Sequence, residues 1–466
     1  MDKLSIIMHF PTRLTWTKAL AFTTLLCNVQ AFRNVVYIDE WHPNITTANN
    51  NTADITHVIM AFVDPLNFTT KEHLPTPPLM PVEQVRSHFD NGTKVGIALG
   101  GWGRWSTNFA LVAAEENRTA FACNLATWMK NEGYDFVDID WEYPGGNGAE
   151  TATNPGKEIT DFPLMISAIK TELKNQSVGI QNISLSVAGT PTGMSAFQSV
   201  NQTRPIWDNV DFINIMAYDY VNRGSNATGH HSDVEGTKLA VSRYIDLGLD
   251  PEKINLGFAF YAKYFQVNGT CENFLLPAGC PIIPAQSANG TDLYTSGVLT
   301  FEYSNLPNIT VDKGALPETT DGTCGYFNGS LTGRKCTQSF CCSEDGWCGD
   351  QPAHCLLNCQ ANYGTCQGPD TVESFAKART FGEYDTIRGG AWFYDESTTP
   401  KLFWTWETPD TMLRKFNEIV NNSTAMLGGI AGWSFGEDTI SFEHVKQMQN
   451  MTRMRKAGQP SQCFRP

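Results

Sequence analysis

The stretch Tyr134-Asp135-Phe136-Val137-Asp138-Ile139-Asp140-Trp141-Glu142-Tyr143-Pro144 decides how the chain is read. Val137, Ile139 and Trp141 alternate with Asp138, Asp140 and Glu142, the period of two that marks a strand. Successive side chains of a strand point to opposite faces, so the three carboxylates share one face and the apolar residues the other. Like charges at i, i+2 and i+4 repel, and at least one must hold a proton or find a partner. Pro144 stops the strand. A row of coupled acids at a strand's C-terminal end suits proton-transfer chemistry. A metal site or a structural acid cluster is the alternative reading, but no His or Cys accompanies these acids.

On either side of this stretch the chain alternates between short apolar runs and segments of helical spacing. The runs fit strands at Val35–Ile38, His57–Phe62, Lys94–Leu99, Phe136–Glu142, Ser184–Ala188, Phe212–Ala217, Ile254–Phe260 and Gly429–Ser434. Phe162, Met165, Ile166, Ile169 and Leu173 form one helix face, with Asp161 as its expected N-cap. Leu239, Tyr244, Ile245 and Leu247 fall in a second helical segment. Thr408-Pro409, a cap followed by Pro at the first helical position, opens a third with Met412, Leu413, Phe416 and Ile419. Eight such alternations predict an α/β fold, a (β/α)8 barrel whose site lies at the C-terminal strand ends, where Glu142 stands. No Gly-rich phosphate loop follows the first run, which disfavours an open doubly wound sheet.

Between Phe260 and Gly429 the chain is far longer than a helical crossover needs, so something is inserted there. Within it Cys324, Cys336, Cys341, Cys342, Cys348, Cys355, Cys359 and Cys366 crowd into a segment of Gly and small polar residues. Such a segment cannot build its own apolar core and must be cross-linked. Eight cysteines admit roughly a hundred pairings, and spacing alone does not choose among them. Cys271 and Cys280 are near enough to close a small loop after the seventh strand. Cys123 and Cys463 are left to pair by elimination.

With 466 residues the chain can hold a barrel domain of about 250 residues plus insertions. Residues 1–31 read as a secretory signal: Lys3, Arg13 and Lys18 precede an apolar Ala19–Cys27, and Val29-Gln30-Ala31 suits cleavage after Ala31. Removing it takes three basic residues and one acid, which moves the formal charge from -15 to -17. That balance disfavours nucleic acid and anionic membrane as partners, and no apolar run is long enough to predict a membrane span. Sequons, among them Asn44, Asn67, Asn117, Asn226 and Asn450, fit a secreted, extracellular glycoprotein. The division expected is signal 1–31, barrel 32–262, insertion 263–407 with the cysteine module at 324–366, and barrel again at 408–466.

The run Asp135 to Glu142 resembles the Asp-x-x-Asp-x-Asp-x-Glu signature of family-18 glycoside hydrolases, the chitinases and their relatives. Phe136 departs from it, because the family usually has Gly there. Gly100-Gly101-Trp102 is similar to the family's Gly-Gly-Trp, Met216-Ala217-Tyr218-Asp219 to its Met-x-Tyr-Asp, and Trp433 to its tryptophan beneath the sugar being cleaved. The resemblance implies catalytic roles for Glu142 as acid/base, Asp140, Asp138 sharing a proton with Asp140, and Tyr218 steadying the substrate's acetamido group. It implies substrate contacts from Tyr37, Phe62, Gly101, Trp102, Tyr143, Met216, Asp219, Tyr261, Lys263 and Trp433. Ala262-Lys263 replaces the family's Gly-Arg, and Lys lacks Arg's planar fork. The order Cys341-Cys342-Ser343 and Gly346-Trp347-Cys348-Gly349 resembles the hevein-type chitin-binding module. That implies pairs Cys324–Cys342, Cys336–Cys348, Cys341–Cys355 and Cys359–Cys366, an acetamido contact from Ser343 and a stacking platform at Trp347. Asp345 and His354 stand where the module often has further aromatics. Together these imply a monomeric secreted chitinase that acts on chitin or its oligosaccharides without metal or organic cofactor. An N-glycan endo-β-N-acetylglucosaminidase and a chitin-binding lectin or toxin-carrier subunit are the alternatives; the first leaves the module unexplained, and the intact Glu142 argues against a lectin.

Overall fold

A computed structural model describes residues 32–458, apart from 44, 46, 73, 147, 149–151, 177–181, 191–193, 272–276, 289, 303–313 and 328–329. The expected signal at 1–31 and Cys463 lie outside the described residues.

Eight parallel strands close into a barrel. They are β1 (Arg33–Asp39), β2 (His57–Val63), β3 (Lys94–Gly100), β4 (Phe136–Asp140), β5 (Asn182–Val187), β6 (Phe212–Ile215), β7 (Ile254–Ala259) and a closing strand, Gly429–Trp433, which pairs with β7 and β1. β4 ends at Asp140, so Glu142 follows the strand instead of closing it. Period-two alternation sorts each strand's residues. Val36 and Ile38 of β1, with Val137 and Ile139 of β4, join the large core against the helices. Val35, Tyr37 and Phe136 face the barrel interior.

The interior is filled in layers. At its base His57, Phe136 and Phe212 meet edge to face at 5.3–5.6 Å. This explains Phe136: it lies below Asp138 and Asp140 on the same face and plugs the barrel floor. Gly96 on β3 makes the room, since a Cβ there would sit 2.4 Å from the Phe136 ring. Burial holds the His57 imidazole neutral, with its pKa lowered to about 3.

Helices cover the outside. The helix carrying Phe162 starts at Pro155 with Asn154 as N-cap, so Asp161 is not the cap. Asp161 lies within the helix and pairs with Lys157 at 2.5 Å and Arg118 at 3.5 Å. In helix Val234–Asp246 the buried face is Val234, Ala240, Val241 and Tyr244, whereas Leu239 is exposed and Leu247 lies past the end. Thr408 caps helix Pro409–Lys415 in a reciprocal bond with Thr411.

After β7 the chain leaves the barrel through a strand that spans the boundary expected at 262/263. β8 (Tyr261–Gln266) and β9 (Ser296–Thr300) join strands Glu383–Asp385, Gly390–Asp395 and Leu402–Trp406 in a five-stranded antiparallel sheet, with helix Thr371–Phe381 beside it. The cysteine segment follows β9. Its bridges are Cys324–Cys342, Cys336–Cys348, Cys341–Cys355 and Cys359–Cys366, and Cys271–Cys280 closes the loop after β8. Its core is mostly sulfur: Cys324, Cys336, Cys342 and Tyr363 form one cluster, and Cys341, Cys355 and Cys359 another. Cys123 has no disulfide partner among the described residues; its sulfur accepts from the Gln176 amide.

The contact between Gly96 and Phe136 predicts a coupled pair. Gly96→Ala should cost about 1–3 kcal/mol of stability by overpacking, and much less in a Phe136→Leu background, as read from a denaturation double-mutant cycle. Equal costs in both backgrounds would remove Phe136 as the constraint on that position.

Candidate active site

The three acids of the opening stretch meet three different environments. Asp138 is fully buried, and four donors serve its carboxylate. Ser184 Oγ and Asn214 Nδ2 donate to Oδ1 at 2.6 and 3.3 Å; Ser186 Oγ and Tyr37 Oη donate to Oδ2 at 2.8 and 3.0 Å. The column continues downward: Asn255 donates to Asn214 Oδ1 at 2.8 Å, and Arg33 Nε donates to Asn255 Oδ1 at 2.8 Å. Burial raises the Asp138 pKa, and these hydrogen bonds work against it.

Asp140 has no such donors. It is 4% exposed, its Oδ1 is unpartnered, and no hydrogen bond joins it to Asp138. The expected shared proton is therefore absent here, because Asp138's oxygens are already taken. The two acids act on each other through charge. Burial first, then Glu142 and Asp138, holds the Asp140 pKa well above the usual carboxylate range.

Glu142 stands past the strand end, with its backbone N–H bound by Ser106 Oγ at 2.5 Å. Burial, helped by the charge of Asp219 and opposed by Tyr143, raises its pKa to about 7. Asp219 has the opposite fate. It is a non-glycine residue at φ +61°, held by Tyr261 Oη at 2.9 Å and Lys263 Nζ at 3.0 Å. Burial pushes its pKa up, but Lys263 and His231 outweigh that and keep it ionised. Tyr218 is held far above its usual pKa by burial and the neighbouring Asp140, so its hydroxyl stays a donor.

These groups open into one cleft of about 1900 Å³, lined in part by Trp102, Tyr143, Met216, Tyr218, Asp219, Tyr261, Lys263 and Trp433. Trp433 stacks on Phe62 at 5.3 Å and leans on Tyr37 at 5.4 Å. Two expected cleft residues sit elsewhere. Tyr37 is 4% exposed and serves Asp138 beneath Trp433, so it positions the site instead of lining the cleft. Gly101, at φ +80°, lies behind Phe62, whose ring a Cβ would meet at 2.7 Å; its neighbour Gly100 reaches the cleft.

The profile described as Glycosyl hydrolases family 18 matches residues 33–438. The chain belongs to that family. Chitinase 1 of Aphanocladium album is 32% identical over 188 residues, which is 37% of this chain and 42% of that protein. Chitotriosidase-1 of Mus musculus is 27% identical over 47% of this chain and 49% of that protein. The chain thus spans about half the length of the relatives it matches. Among solved structures, a chitinase from Rhizomucor miehei superposes with a TM-score of 0.60 at 15% identity, over 90% of this chain and 99% of that one. A plant class V chitinase mutant from Cycas revoluta, in complex with (GlcNAc)3, gives 0.58 at 16% identity with the same coverage. These likenesses establish the family-18 barrel fold.

Several residues of this family-18 cleft carried no sequence signal. Trp41 and Trp105 line it with Trp102, but neither falls in the quoted motifs. Glu437 also reaches it, from a buried group with Asp39, His42 and Glu302. There burial lowers and the acids raise the His42 pKa, to about 10 in balance, while burial raises Glu437 to about 8.

In the cysteine segment Trp347 is half exposed and packs edge-on against Phe327 at 4.9 Å. Ser343 is buried, and its hydroxyl accepts the Trp347 backbone N–H at 3.0 Å, so it braces the tryptophan's turn. His354 lies over Gly349, where a Cβ would meet its ring at 2.6 Å.

The Asp219 charge gives a signed test. Asp219→Asn should move the Glu142 titration to lower pH, and Lys263→Met, which strips Asp219 of its counter-charge, should move it higher. Carbon-detected NMR of labelled glutamate reads both; an unmoved Glu142 in Asp219→Asn would refute the coupling.

Proposed function

We propose that this chain is a secreted chitinase that hydrolyses β-1,4-N-acetylglucosamine linkages with retention, by a substrate-assisted mechanism. The observation that carries the reading is Glu142, kept protonated up to about pH 7 at the floor of an aromatic cleft, directly above the buried Asp140. A two-carboxylate glycosidase sets its carboxyls about 5–9 Å apart on opposite sides of the scissile bond. Acids rising from one strand face do not straddle a sugar in that way. Family 18 is the substrate-assisted exception to that scheme, and relatives named as chitinases support the substrate class.

In this scheme Glu142 gives its proton to the glycosidic oxygen as the bond to the anomeric carbon breaks. The substrate's own N-acetyl carbonyl oxygen forms the new bond at that carbon, giving an oxazolinium ion. Asp140 faces the acetamido N–H and accepts its hydrogen bond through the unpartnered Oδ1, which draws positive charge off the nitrogen of the oxazolinium ion. Tyr218 donates to the acetamido oxygen. Glu142, now a carboxylate, takes a proton from water, whose oxygen attacks the anomeric carbon as the bond from that carbon to the acetamido oxygen breaks, which restores the β configuration. Trp433 carries the apolar face of the reacting sugar, and Trp102, Tyr143, Met216 and Phe62 complete the walls. Lys263 and Tyr261 act chiefly through Asp219.

The chain is proposed to work as a monomer outside the cell, divided as signal 1–31, barrel 32–262, insertion 263–407 and barrel 408–466. No described helix is long and apolar enough to cross a membrane. The cysteine module at 324–366, with the half-exposed Trp347 as its one platform, favours chitin over an N-glycan core.

Glu142→Gln should lower kcat/KM on chitin oligosaccharides by about 100- to 10,000-fold, with the fold intact by circular dichroism. Wild-type activity should fall as pH rises through about 7, because the acid must be protonated. First product detected by NMR should be the β-anomer; initial α-product would overturn the retaining scheme, and full activity in Glu142→Gln would overturn the role of Glu142. Trp347→Ala should weaken retention on insoluble chitin relative to turnover of a trisaccharide; unchanged retention would dismiss Trp347 as a platform.

A further inference from the structure

Asn358 pins the cysteine segment to the catalytic body. Asn358 is 3% exposed and sits at φ +44°, a backbone conformation that Asn tolerates better than most residues. Its Nδ2 donates to the Val298 carbonyl on β9 at 2.5 Å and to Glu344 Oε1 at 2.9 Å. Its Oδ1 accepts from Thr371 Oγ1 at 2.8 Å, at the start of helix Thr371–Phe381. One amide therefore ties the sheet edge, the cysteine segment and the insertion helix together.

Leu357 precedes this pin. It packs against the main hydrophobic core and, with Val298, lines the cleft that holds Glu142. The bridges Cys341–Cys355 and Cys359–Cys366 flank the Leu357–Asn358 pair on either side. A loop so anchored has little freedom to move out of the cleft. Small-molecule sites occupy about 300–1,000 Å³, so this cleft has room for several sugar units. The C–H face of a pyranose gains by covering apolar surface, and Val298, 37% exposed, continues the apolar strip beside Leu357.

We propose that the cysteine module is a fixed wall of the catalytic groove, in which Leu357 contacts a sugar unit beyond those held at Glu142 and so helps the enzyme discriminate by chain length. This inference rests on the hydrolase reading above. It assigns the module a role inside the cleft that is separate from any retention on insoluble polymer through Trp347.

The test compares a tri- and a hexasaccharide of N-acetylglucosamine with wild type, Leu357→Ala and the volume-conserving Leu357→Gln. Both variants should lower the hexasaccharide-to-trisaccharide ratio of kcat/KM about fivefold, mainly through KM. An unchanged ratio, or equal losses on both substrates, would overturn the proposal. Leu357→Gln keeps the test alive should Leu357→Ala fail to fold. Titration calorimetry of the hexasaccharide onto the same proteins separates the two readings. Wild type that binds the hexasaccharide without cleaving it refutes the hydrolase alone; the wall then stands if Leu357→Ala weakens binding and falls if it does not. Wild type that neither binds nor cleaves overturns both.

Discussion

An isolated carboxylate in a barrel interior would cost far more than a domain's whole stability, and the structure is arranged around avoiding that at Asp138. Its four donors come from β1, β5 and β6, and a further line through Asn214 and Asn255 ends on Arg33. Each of those positions faces the interior by the same period of two that turns Asp138 inward. The barrel cannot exchange these residues for aliphatic ones without orphaning an acid. The donors are spent on Asp138, and Asp140, one step up the strand, receives none. The same face thus carries an acid that is satisfied and, above it, two acids whose proton affinity burial raises.

That division shows how far the sequence could be read. The alternation in Val137–Glu142 was enough to place the acids on one face, since periodicity is local. The donors were not legible. Ser184, Ser186 and Asn214 sit in runs that read only as strands, and nothing in one strand announces which side chain of another it will face. Phe136 stayed unexplained for the same reason: its partner is an absent side chain, Gly96, on a neighbouring strand. The misplaced cap at Asp161 has a local cause. Asn154-Pro155 is the stronger start, yet the apolar periodicity becomes visible only about two turns later, at Phe162. The cysteine pairs followed from a resemblance, because spacing alone admits too many connectivities. The docking of that segment followed from nothing in the sequence, where Leu357 and Asn358 look like any loop.

Tyr261 and Lys263 carry a further consequence. They belong to β8, a strand of the antiparallel sheet and not of the closed barrel, yet both hold Asp219, and Lys263 keeps it ionised and so acts on Glu142. The chain's return is fixed as firmly. Glu407, just past strand Leu402–Trp406, pairs with Lys415 at 2.5 Å with both side chains fully buried. Its other oxygen takes the Ala259 N–H of β7 and the Ser232 hydroxyl. Between these ends Arg388 grips both oxygens of Asp233 at 3.0 Å.

A buried ion pair such as Glu407–Lys415 is weak evidence for stability, because desolvation offsets its attraction, but breaking it costs about 3–5 kcal/mol. Its effect is therefore on geometry: the strand cannot leave the barrel without exposing an uncompensated charge. The insertion is thus held at its entry by Asp219, at its middle by Asp233 and at its exit by Glu407; the first two ties are rim acids meeting a base of the insertion, and the last is an acid of the insertion meeting a barrel lysine. The proton affinity of Glu142, set first by burial, is thus adjusted through Asp219 by a structure that the barrel does not contain.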